Sequence, residues 1–161
     1  MKTESLCAEG ALAVRRFREG DLPELAALLA DPEVMRWLEP PFDRARAAEF
    51  LRAAGLSEPP LIYAVEEDGD FLGYVIFHRY GGEDAAELGW VLRRSAWGRG
   101  YAGRLAALLL SAAEGKWAEA VIECAPEQRA SARVAEKLGF REEGMADGCR
   151  VFRRAVTRDG T

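Results

Sequence analysis

The sequence predicts an α+β fold: a mixed, mostly antiparallel sheet of about six to seven strands flanked by about four helices. Two observations carry this. Apolar residues recur at helical spacing in four segments, each closed by Gly or Pro. Between them, residues 61 to 92 hold three consecutive β-branched and aromatic runs with no room for a crossover helix, the pattern of an antiparallel meander.

In chain order, Leu12, Val14 and Phe17 in ALAVRRF predict an edge strand. Asp21 then opens a helix, with Glu24 three residues on as its capping-box partner and Leu22, Leu25, Leu28 and Leu29 on its core face. That helix stops at Asp31-Pro32, and a second starts after Pro40-Pro41 with Asp43 as cap, running through Ala47, Phe50 and Leu51 towards Gly55. The connection EVMRWLEPPF carries Trp37 and Phe42, read either as exposed aromatics lining a substrate pocket or as a staple at the helix end. The strands LIYAVEE, FLGYVIFHRY and AELGWVLR follow, separated by EEDGD and GGED turns. Gly100–Gly115 is helical, with Tyr101, Leu105, Leu108, Leu109 and Ala112 on one face. WAEAVIECA is a strand, EQRASARVAEKLG a helix ending at Gly139, and FREEG with CRVFRRAV a last strand pair. Residues 1–161 read as one domain, with 1–10 as a flexible N-terminus.

Composition narrows the function. With 49% apolar and 30% charged residues the chain has an ordinary globular balance. Its opening lacks the apolar stretch of a secretory signal and no run approaches the roughly 20 residues that span a bilayer, so a soluble, cytoplasmic protein without a membrane partner is expected. Cys7, Cys124 and Cys149 form neither a C-x-x-C pair nor an even set, which argues against a disulfide framework and against a metal site. The only histidine, His78, sits in an apolar strand and is read as a satisfied strand histidine without chemistry. A net charge of −5 opposes nucleic-acid binding and favours cationic or amine partners; the clusters Glu66–Asp70 and Glu83–Glu87 either attract them or are solvated turns.

The stretch SAWGRGYAGRL contains Gly98, Gly100 and Gly103 at G-x-G-x-x-G spacing. A dinucleotide turn is one reading, supported by the helix and strand that follow and by Glu123 near the place of a ribose-binding acid. Against it, five residues separate the strand from Gly98, the loop lies behind a meander, and the remaining chain is short for a second βαβ half. The other reading uses only a helix N-terminus: the amides of residues 98–103 and the helix dipole receive a pyrophosphate, the glycines leave its approach open, and Arg99 adds charge.

The segment ELGWVLRRSAWGRGYAGRLAALLL resembles motif A of the GNAT acetyltransferase superfamily, Q/R-x-x-G-x-G/A, with Trp97 in the Gln/Arg place, Gly100 as first glycine and Ala102 closing it. APEQRASARVAEKLGFREEG resembles the superfamily's downstream segment, and VRRFREGDLPELAALLADPEVMRWL is similar to the opening of its RimJ and RimL branch. The resemblance implies one GNAT-type domain that moves the acetyl group of acetyl-CoA, a co-substrate, to a primary amine on a protein N-terminus or a small molecule, with no metal; it also allows a homodimer. Main-chain groups of Trp90, Val91 and Leu92 would bond the pantetheine and polarise the thioester carbonyl. Trp97, Gly98, Arg99, Gly100, Tyr101, Ala102 and Gly103 would form the pyrophosphate loop, and Gln128, in place of the motif's Asn, would offer an amide to the cofactor.

Amine acetylation needs a base and an acid. Glu87 is the candidate base, the alternative being an ordinary strand-end glutamate. The position of the superfamily's frequent tyrosine acid is Ala135; Ser131, placed as in RimL-like members, is the candidate acid, or else a hydroxyl that packs or caps the helix start. Those departures keep open a second hypothesis, a non-catalytic acyl-CoA sensor, and the dinucleotide module stands as a more distant third.

Overall fold

The computed structural model describes residues 5–156. They carry eight strands and five α-helices, in the strand order β1-β2-β3-β4-β5-β6-β8-β7. The mixed α+β architecture is the expected one, with one strand more at the N-terminus. The chain clusters into two compact units: the first comprises residues up to Ile76 together with Trp90–Tyr101, the second Phe77–Gly89 together with the chain from Ala102 onward.

In the first unit, β1 (Ser5–Glu9) and β2 (Leu12–Arg15) form a hairpin, so residues 5–9, read from the sequence as part of a flexible N-terminus, are instead a paired strand; residues 1–4 lie outside the described residues. Because β2 also pairs with β3 (Ile62–Glu67), it is not the edge strand expected, and Phe17 lies beyond it, buried. β3 turns antiparallel into β4 (Asp70–Arg79) through Asp68-Gly69, both in the left-handed region at φ 52° and 84°, the conformation of a two-residue type I′ turn. Gly73 on β4 is required sterically: a Cβ there would lie 2.1 Å from the carbonyl oxygen of Val91.

Helix α1 (Leu22–Ala30) buries Leu25, Leu28 and Leu29, each contributing roughly 1.5–3 kcal/mol of apolar burial. The sequence assigned Asp21 to a capping box with Glu24, but its side chain bonds no α1 amide. It accepts two bonds of 2.9 Å from the buried Arg15 guanidinium and one from Arg18 N–H. A buried cation on β2 needs that counter-charge more than the helix needs a cap. A short helix, α2 (Pro32–Met35), follows within the segment read as a connection. Asp43 caps α3 (Arg44–Phe50) as expected, its Oδ1 accepting from Arg46 N–H at 2.8 Å, and the helix continues through a π turn to Gly55.

In the second unit, β5 (Ala85–Leu92) contributes its first half and pairs in parallel with β6 (Glu119–Cys124), the two being linked through α4 (Tyr101–Ala113). After α5 (Arg129–Lys137), β7 (Arg141–Ala146) and β8 (Cys149–Ala155) form a hairpin through Asp147-Gly148, again both at positive φ, and β8 adds antiparallel to β6. Strand alternation then divides this unit's side chains. Leu88, Ile122 and Phe152 are buried on one side; Glu87, Val121 and Arg153 stand in register on the other, with Glu119 and Glu123 two positions either side of Val121.

Candidate active site

The first unit holds the N-terminal part of the glycine loop. The end of β5 presents Trp90 half-buried and Val91 and Leu92 buried, so their side chains pack while their main chain leads to a 3₁₀ turn at Arg94–Ala96. Arg94 bonds Asp31 at 2.8 Å, and Arg93 N–H bonds the Leu72 carbonyl at 2.9 Å. Trp97, 48% exposed, donates its indole N–H to the Leu92 carbonyl at 2.8 Å, bracing the loop against the strand it leaves. Gly98 and Gly100 then lie at φ 71° and 82°, and a Cβ at either would meet nothing within 4 Å. Backbone conformation, not crowding, requires glycine at both, and the space in front is open. Tyr101 is buried, its hydroxyl bonded to Glu67, and the Arg99 guanidinium lies 5.7 Å from its ring centroid. Helix α4 starts there, so the loop is the approach to a helix N-terminus, which has unpaired amides and a positive dipole end.

The two aromatics of the Pro-rich connection part company. Trp37 is 40% exposed, with the Arg36 guanidinium 4.7 Å from its ring centroid. Phe42, read as either an exposed pocket aromatic or a staple at the helix end, is only 7% exposed and joins the core edge-to-face with Phe50 of α3 at 5.9 Å. Its amide bonds the Leu29 carbonyl, and its buried ring corrects the pocket-lining reading of Phe42.

The second unit holds Glu87, Ala102, Gly103, Gln128 and Ser131. Ala102 and Gly103 are half-buried in the first turn of α4, and Gly103 has ordinary helical backbone with open space beside it. Gln128 folds back on its own loop, its Oε1 accepting from Ala125 N–H at 2.8 Å. That leaves its amide N–H₂ as the group it can offer a ligand. Ser131 is half-buried in the first turn of α5.

Glu87 stands in the most heavily charged surroundings. Tyr80 N–H bonds the Ala85 carbonyl across the turn, so two residues further along each strand His78 faces Glu87. His78 Nε2 lies 3.6 Å from Glu87 Oε1, within ion-pair range. Burial raises the Glu87 carboxyl above its ordinary pKa; His78 opposes the rise and Glu123 adds to it. Glu123 accepts a 2.5 Å bond from the Tyr80 hydroxyl, which that bond, burial and neighbouring carboxylates push up to about 12. Beyond them a hollow of about 390 Å³ is lined by Tyr80, Glu83, Glu143, Val151 and Arg153, with Arg153 bonded to Glu83, Glu119 and Glu143.

His78, Tyr80 and Glu123 were not assigned these roles from the sequence. Their signal was the GGED turn: four residues between Tyr80 and Ala85 fix the register that sets His78 opposite Glu87. Among the described residues, no group of three or more His, Cys, Asp or Glu could hold a metal ion, and no helix is long and apolar enough to cross a membrane.

Comparisons with known proteins bear on the family and the fold. A family model described as an acetyltransferase (GNAT) domain matches residues 11–141. The chain is 28% identical over 142 residues to the uncharacterized N-acetyltransferase YnaD of Bacillus subtilis, covering 86% of this chain and 84% of that protein. A GNAT-family acetyltransferase structure from Bacillus anthracis superposes with a TM-score of 0.82 at 25% identity, covering 93% of this chain and 98% of that one. The RimL ribosomal L7/L12 α-N-protein acetyltransferase, in complex with coenzyme A, has the same fold with a TM-score of 0.82 at 20% identity, covering 95% and 98%. With a family model spanning most of its length and the fold to match, this chain belongs to the GNAT acetyltransferase family and is an acyltransferase.

Proposed function

We propose that the protein transfers the acetyl group of acetyl-CoA to a primary amine, on a protein N-terminus or a small molecule, by direct attack in a ternary complex of the RimJ/RimL type in the cytoplasm. The observation that carries this reading is the loop from Trp97 to Gly103: two glycines at positive φ, open space where their side chains would be, and a 13-residue helix beginning at Tyr101. A pyrophosphate fits such a place, because unpaired amides and the helix dipole favour an anion there and Arg99 adds a fixed charge.

When bound, acetyl-CoA supplies an acetyl group activated as a thioester. The residues proposed to hold it are the loop 97–103, the main chain of Trp90–Leu92 and the side-chain amide of Gln128. One lone pair of the Leu92 carbonyl is already taken by Trp97. An amine acceptor arrives as an ammonium and must lose a proton before its nitrogen can attack. Glu87 is the proposed base, taking that proton at a carboxylate oxygen; its raised pKa brings it closer to the proton affinity this task needs. Ser131 is the proposed proton donor for the leaving sulfur, and Trp37 the proposed acceptor-side aromatic. Positioning alone supplies much of the rate in such a two-substrate reaction.

Thiol release from acetyl-CoA, measured against a panel of peptides, polyamines and aminoglycosides, tests the reading. Amine-dependent release is the expected result. Silence across the panel, with acetyl-CoA bound in titration calorimetry, would replace it with an acyl-CoA sensor; tight NAD binding without CoA binding would replace both with a dinucleotide module.

A further inference from the structure

We infer that His78 is a positioning residue for Glu87: the two side chains hold one proton between them, and the imidazolium keeps the carboxylate ionised and ready to accept a proton from the acceptor amine. This rests on the reading of Glu87 as the base, though the pairing itself does not.

The argument starts from the other ring nitrogen. His78 Nδ1 lies 2.7 Å from the Arg79 carbonyl, which can only accept, so Nδ1 carries a hydrogen and donates it. In the neutral ring Nε2 would then be a bare lone pair, aimed at Glu87 Oε1 from 3.6 Å. A lone pair and a carboxylate at that distance repel, and the side chains are only 26% and 25% exposed, so water screens them incompletely. One proton on the pair turns repulsion into attraction. The Nδ1 bond also fixes the ring, which keeps Nε2 directed at the carboxylate as a second-sphere carbonyl does for other paired histidines.

The surroundings decide where that proton sits. From β6, Glu123 adds negative charge, and Tyr80 on β4 is committed to Glu123 by its hydroxyl. Cys149 on β8 is a thiol held neutral by burial and by Glu123, Asp147 and Glu87. Glu83 in the turn is paired with Arg153, as is Glu119 on β6. His78 is the cation that lowers the Glu87 carboxyl, against burial and Glu123, which both favour the protonated acid. In the reaction, an acceptor N–H bond breaks, an O–H bond forms on Glu87, and the electron pair stays on nitrogen for the attack.

The chain's single histidine makes the test direct. Nitrogen-15 NMR of the full protein should show the His78 ring titrating in two coupled steps, collapsing to a single step in Glu87→Gln. In pH–rate profiles, His78→Asn should move the acid limb of kcat/KM to higher pH, lowering the rate there about tenfold per unit displaced while the high-pH plateau stays within about twofold. His78→Gln should behave alike, because neither amide can carry the charge. Identical His78 titration in wild type and Glu87→Gln would overturn the pair, whether or not the protein turns over any amine. Coupled titration with an unmoved acid limb would overturn the positioning role alone, and lack of turnover in the wild type would overturn it by removing Glu87 as base while leaving the pair standing.

Discussion

The indole N–H of Trp97 donates to the carbonyl of Leu92 at 2.8 Å, tying the start of the glycine loop to the end of the strand that precedes it. Where the GNAT motif has Gln or Arg, this chain has a brace in place of a flexible polar side chain. Trp97→Phe keeps a ring but loses the donor, and a net hydrogen bond contributes about 1 kcal/mol. Affinity for acetyl-CoA in titration calorimetry should fall about fivefold, with a loss of folding stability of no more than about 1 kcal/mol. Unchanged affinity would mean the brace does not shape the loop.

Gly100 and Gly103 should respond in opposite ways. At φ 82°, Gly100→Val forces a β-branched residue into the left-handed region and puts a side chain into the open approach, so acetyl-CoA binding should be lost. Gly103, inside the first turn of α4 with nothing within 4 Å of a Cβ, should accept Ala with unchanged binding and a stability gain of up to about 1 kcal/mol. Equal damage from both would restore the G-x-G-x-x-G register as the meaningful one.

Asp21 makes the fold sensitive to acid. Burial would raise its pKa, but hydrogen bonds from Arg15 and Arg18 N–H, with their charges, outweigh this and lower it. A carboxyl lowered on folding contributes stability above its unfolded pKa, and that contribution is lost as pH falls through the folded value. Asp21→Asn should therefore destabilise by about 3 kcal/mol in urea unfolding at pH 7, by leaving Arg15 without its main counter-charge, and the deficit should shrink in acid. A deficit that is the same at pH 7 and pH 3 would contradict the pair.

Phe42 and Trp37, adjacent in role from the sequence, should separate experimentally. Phe42→Ala removes a core ring and should cost about 3–5 kcal/mol of stability. Trp37→Ala should leave stability within about 0.5 kcal/mol and instead raise KM for the amine. A stability loss at Trp37 with no kinetic change would remove it from the acceptor side.

Periodicity and turn chemistry made much of the fold legible. The EEDGD turn marked the hairpin at Asp68-Gly69, and the leucines of α1 marked its buried face. What failed were features decided by tertiary partners. SLCAE has no strong alternation and pairs because β2 offers it an edge. Asp21 has the letter of a cap, yet a buried arginine six residues earlier claims its carboxylate. Phe42 follows two prolines in a connection, yet its ring is buried against Phe50 of α3. At the site, glycines with positive φ were readable because the backbone itself demands the residue type. The His78–Glu87 pair was hidden because it depends on strand register, and the apolar run around His78 disguised a side chain on the polar face.

The most direct test of the account compares Glu87→Gln with the wild type in steady-state acetyl transfer at neutral pH, alongside acetyl-CoA affinity by calorimetry. The account predicts a fall in kcat of about 10²-fold or more, the usual loss on removing a general base, with the dissociation constant for acetyl-CoA within about twofold of the wild type. An unchanged kcat would contradict it.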